Sequence, residues 1–84
     1  MFQIQTAVYK MPNGFRLAIE DCEDSLEVRL LTSNGTRHRW VISPPDENML
    51  RETAFDIYQT VFGGKVNDLK KVNLIYAQLK TFKI

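Results

Sequence analysis

The sequence predicts an α+β fold: a four-stranded antiparallel meander sheet with two C-terminal helices packed on one face. Three features carry that expectation. The first half alternates apolar and polar residues at period two between turn signals. A proline-led helix start follows at Ser43-Pro44-Pro45-Asp46-Glu47. Beyond it, two apolar stripes at helical spacing are separated by Gly63-Gly64. The 84 residues fit a single domain, 1–84, with the sheet over 2–42 and helices over about 45–62 and 67–82.

In strand one, Phe2, Ile4, Thr6 and Val8 alternate with Gln3, Gln5, Ala7 and Tyr9, up to the turn signal Pro12-Asn13-Gly14. Phe15, Leu17 and Ile19 form the apolar side of strand two, which is expected to stop at the acidic cluster Asp21-Cys22-Glu23-Asp24. Leu26, Val28 and Leu30 do the same in strand three, until Ser33-Asn34-Gly35 turns the chain into strand four, about 36–42. A three-residue loop there sets Thr32 opposite Thr36, Leu30 opposite His38, Val28 opposite Trp40 and Leu26 opposite Ile42. The large apolar residues then share one face, with Trp40 largely buried, and the other face collects Leu31 with Arg37, Arg29 with Arg39 and Glu27 with Val41. A slip of one residue would expose Trp40.

In the first helix Leu50, Ala54, Ile57 and Val61 make the central stripe, and Phe55, Tyr58 and Phe62 widen it beyond what one sheet contact requires. A second helix, starting near Asn67 or Asp68, fits that flank with Leu69, Val72, Ile75, Tyr76, Leu79 and Phe82. An edge strand over 75–84 competes with it but alternates poorly.

Composition narrows the function classes. Apolar content of 44% with 25% charged is globular usage, and a formal charge of +1 gives no global attraction for nucleic acid or acidic membranes. A single cysteine, Cys22, points to a reducing compartment and a cytoplasmic protein. The N-terminus lacks a basic region and an apolar run, so neither export nor membrane insertion is expected.

No catalytic, metal or cofactor motif emerges. Cys22 and His38 are the lone residues of their kinds, but the strand register separates them by roughly 13 Å at about 3.3 Å per residue, against the ~3 Å of a nucleophile–base pair. Glu20, Asp21, Glu23 and Asp24 lack the spacing and glycine of a calcium loop. One cysteine and one histidine do not make a zinc site. Gly63-Gly64-Lys65 follows a helix where a phosphate loop follows a strand.

What remains is surface. Alternation brings Arg16, Arg29, Arg37 and Arg39 to one sheet face, with Tyr9 and Met11 expected beside them. Guanidiniums recognise phosphate and carboxylate bidentately, so nucleic acid and an acidic protein are the candidate partners. The plain alternative is a solvated face whose arginines pair with Glu20 and Glu27. Lysines from Lys65 to Lys83 are spread around the second helix and add little. A second candidate surface is the aromatic flank Phe55, Tyr58 and Phe62, suited to a protein partner or a homodimer, as in a small regulator or inhibitor of a larger enzyme.

Overall fold

The computed structural model describes residues 5–63 and 68–81. Along them run β1 (Gln5–Lys10), a 3-10 turn (Pro12–Gly14), β2 (Arg16–Cys22), β3 (Ser25–Thr32), β4 (Gly35–Ile42), α1 (Glu47–Phe62) and α2 (Leu69–Lys80). The strands lie in chain order, each neighbour antiparallel, and the helices follow: the expected α+β meander. Phe2, Ile4, Asn67 and Phe82 lie outside the described residues, while α2 through Lys80 replaces the competing edge strand over 75–80.

Each turn has a local cause. In the first, Asn13 and Gly14 take left-handed backbone conformations, at φ 62° and 80°, which asparagine and glycine tolerate best. The Met11 N–H donates to the Phe15 carbonyl at 2.9 Å, and the Asn13 side-chain amide donates at 2.8 Å to the Val61 carbonyl in the last turn of α1. That bond satisfies one of the carbonyls a helix end leaves without a partner and fastens the turn to the helix. The second turn corrects the sequence reading: β2 continues through Asp21 and Cys22, with Cys22 opposite Ser25, so only Glu23 and Asp24 form the loop. Asp21 sits opposite Leu26 at the end of the sheet, half-exposed, where pairing outweighs the low strand preference of aspartate.

The β3–β4 hairpin keeps the expected pairs Leu26–Ile42, Val28–Trp40 and Leu30–His38 but changes at its tip. Gly35, at φ 108°, joins the strand opposite Thr32, so the loop is Ser33-Asn34 alone, and Leu31 faces Thr36. Arg37 becomes the extra residue of a bulge instead of the partner of Leu31. The shorter loop forces it: with Thr32 opposite Gly35 and Leu30 opposite His38, one residue of β4 has no place across the ladder.

One sheet face carries Leu17, Ile19, Leu26, Val28, Leu30 and Ile42, each at most 1% exposed. Against it pack Leu50, Ala54, Ile57, Tyr58 and Val61 of α1 and Val72, Ile75, Tyr76 and Leu79 of α2, all in one cluster. Asp46 caps α1 by accepting the Met49 N–H at 2.9 Å, and Gly63, at φ 89°, ends it. Asp68 caps α2 through the Lys70 N–H at 3.1 Å. Two expectations shift. Leu69 begins the α2 stripe but is 69% exposed, because the first turn of α2 reaches past the core. Trp40 is half-buried, packed on the rim of the core from the outermost strand. Among the described residues no helix is long and apolar enough to cross a membrane.

Ile57 and Leu69 give the packing a direct test. Ile57→Ala should cost about 2–5 kcal/mol in urea unfolding, as buried large-to-small changes do, whereas Leu69→Ala should stay within about 0.5 kcal/mol. Equal losses would mean that α2 packs through a different face.

Candidate functional site: the uncovered face of the sheet

Strand pairing writes the outer face as three rows and, at the β2–β3 turn, the pair Cys22–Ser25. Lys10, Arg16, Leu31 and Thr36 form the row nearest the β1–β2 and β3–β4 turns. Val8, Ala18, Arg29 and Arg39 form the middle row. Thr6, Glu20, Glu27 and Val41 form the row next to that pair. The cations thus gather at one end and in the middle, and the two carboxylates at the other end. Both helices lie on the opposite side, so the face is open: Val8 and Val41 are each 57% exposed. Ala18, too short to reach past Val8 and Arg29 on either side, is covered by its neighbours.

Glu27 organises the centre of this face. Its carboxylate accepts from the Arg39 guanidinium at 2.9 Å and lies 3.7 Å from Arg29 Nε. The hydrogen bond and then the charge of Glu27 raise the Arg39 pKa above its ordinary value, so Arg39 is cationic at every accessible pH. One carboxylate serves two guanidiniums, which leaves net positive charge in the middle of the sheet. Among the described residues, Lys10, Arg16 and Arg37 form no ion pair.

Of the residues singled out in the sequence, Arg16, Arg29 and Arg39 come together as expected. Arg37 is exposed beside them, but the bulge removes the pairing that was to fix its face. Tyr9 does not join them. It lies opposite Leu17 and packs against the core, as does Met11. The connection between Lys10 and Arg16 has an odd number of residues, which pairs even positions with even ones, so Lys10 takes the place beside Arg16 that Tyr9 was expected to hold. Lys10 was legible only once that turn length was known.

The aromatic flank of α1 does not form a shared surface. Tyr58 is 5% exposed and stacks on Phe62 at 4.6 Å between ring centres, while Lys71 of α2 lies 4.7 Å over the Phe62 ring. Arg51 reaches across to the Tyr76 ring at 4.3 Å. These aromatics clasp the helix pair. Phe55 alone is offered to solvent, 40% exposed, in an open groove with Arg51, Glu52 and Asp56.

Cys22 and His38 stay at opposite ends of the sheet: Cys22 is opposite Ser25, whereas His38 is opposite Leu30 and stacks on Trp40 at 5.8 Å. Among the described residues no three His, Cys, Asp or Glu side chains converge as a metal ion would require. Gly63 ends α1 with its N–H on the Gln59 carbonyl, and Gly64-Lys65 lies outside the described residues. Comparison with protein-family models, curated proteins and solved structures gives no match.

Cys22→Ser is expected to leave partner binding unchanged, since Cys22 sits beside Glu20 at the end of the outer face away from the cations. A folded Cys22→Ser protein that loses its biological activity would instead point to thiol chemistry.

Proposed function

We propose that this chain is a small non-enzymatic binding domain whose uncovered sheet face engages an anionic partner, an acidic protein surface in preference to a nucleic acid. The observation that carries the reading is the common placement of Lys10, Arg16, Arg29 and Arg39 on a face that neither α1 nor α2 covers, with a single carboxylate, Glu27, held between two of them.

The preference for protein follows from what surrounds the cations. Sheet platforms that read single-stranded nucleic acid stack bases on aromatic rings, and the three rows contain none. They offer Val8, Leu31 and Val41 between the charges, a mixture of apolar and cationic groups that matches a protein surface. Arginine also pairs with carboxylate in a planar two-bond fork, which gives geometry as well as charge. The aromatic flank of α1 supports an interaction module less well, because two of its three rings are engaged within the fold.

Titrating labelled polyglutamate and labelled single-stranded and duplex oligonucleotides at low and physiological salt tests the reading. Polyglutamate should bind at low salt and weaken as salt screens the charges. Arg37→Glu/Arg39→Glu should lower its affinity about tenfold or more, equivalent to about 1.4 kcal/mol or more, and Glu27→Gln should raise it. Oligonucleotides that bind more tightly, with a logarithmic salt slope of about 0.7–0.9 per phosphate contacted, would make nucleic acid the partner. Absence of all binding at low salt would remove the anionic-partner reading.

A further inference from the structure

We infer that the edge of β4, which no strand among the described residues pairs, takes up an extended segment of alternating acidic and apolar residues as a fifth strand of the sheet. The inference rests on the anionic-partner reading and supplies its mode of binding. In the strand order β1-β2-β3-β4, β4 is an outer strand, so alternate residues along it direct their N–H and C=O groups away from β3. Every residue from Gly35 to Arg39 is exposed, and Ile42 alone in the strand is buried.

The two sides of this edge differ in a way that specifies its occupant. On the outer face Arg39 stands beside Val41, with Arg37 at the bulge. On the core side His38 and Trp40 stack on one another at the rim, and neither is buried. Side chains of an added strand alternate between the same two faces. Acidic residues at one parity would meet the guanidiniums, while apolar residues at the other would cover Trp40 and His38. Neither a wholly acidic segment nor a wholly apolar one satisfies both sides.

Edge strands often carry charge and bulges to discourage pairing. Here the bulge is confined to the hairpin tip, and 38–42 keeps regular pairing with β3, long enough for an added strand. The charge does discriminate: a second copy presents the same cations along the same edge and is disfavoured, whereas an acidic segment is drawn to it. Main-chain bonds then provide affinity, and the alternation provides specificity, as in other cases of strand addition.

The test uses the full chain and a synthetic peptide of alternating glutamate and valine, with two controls: the same peptide N-methylated at alternate residues, and polyglutamate. The plain peptide should bind, shift the Trp40 fluorescence, and slow hydrogen exchange at the amides within 38–42 that point away from β3. N-methylation on the bonding side should weaken it about tenfold or more, since each lost bond typically counts for several-fold. Methylation at the two parities should therefore act unequally. If polyglutamate and the plain peptide bind alike, and neither slows exchange in β4, the cations act as a flat surface and the strand addition is wrong, although the anionic-partner reading stands. If polyglutamate binds and the plain peptide does not, the strand addition is again wrong. If neither binds at low salt, both fall together. Slow exchange in the peptide-free protein at those amides of 38–42 that point away from β3, together with a dimer in sedimentation, would place a second copy on the edge and overturn the acidic occupant.

Discussion

The fold depends on burying one face of the sheet and no more. Chains of this size remove about 60–65% of their unfolded surface from water, and both helices are needed to cover the stripe of Leu17, Ile19, Leu26, Val28, Leu30 and Ile42. Among the described residues, no further element is left for the other face. Alternation at period two then decides nearly everything on that side, because each residue between two core positions must face solvent. A surface of charged side chains is a consequence of the same packing that stabilises the domain.

Electrostatics and topology converge on one corner of that surface. Glu27 draws Arg39 and Arg29 into a fixed cluster, which limits the freedom of two long side chains before any partner arrives. Preorganisation of that sort lowers the ordering cost of association. Arg39 is also on the outermost strand, so the best-defined cation of the face and the free hydrogen-bonding edge are the same few residues. The carboxylates Glu20 and Glu27 at the far end give the face a direction: an acidic partner is attracted toward the β1–β2 and β3–β4 turns and repelled from the β2–β3 turn.

Most of the fold was legible in the sequence because strong local signals agreed. The apolar parity of β2 and β3, the proline-led helix start at Ser43-Pro44-Pro45-Asp46-Glu47 and the stop at Gly63 each point to the observed element. The errors of strand register all sit at turns. Tyr9 was assigned to the arginine face because nothing in Pro12-Asn13-Gly14 states how many residues the turn consumes, and one residue inverts a strand. Arg37 slipped into a bulge because Gly35 is as suited to the first strand position after a two-residue loop as to the last position of a three-residue one. The aromatic flank was legible as an excess over what the sheet could bury. Its true partner, α2 with Lys71 laid over Phe62, required the angle between two helices, which periodicity does not contain.

The openness of the outer face in the isolated protein is the claim on which the rest stands. Hydroxyl-radical footprinting read by mass spectrometry measures it directly, residue by residue. Val8 and Val41, each 57% exposed, should be labelled readily, while Leu17, Ile19, Val28 and Leu30, buried on the other face, should be protected. Protection of Val8 and Val41 in the free monomer would contradict the account, since the arginine face would then already be covered by the protein itself.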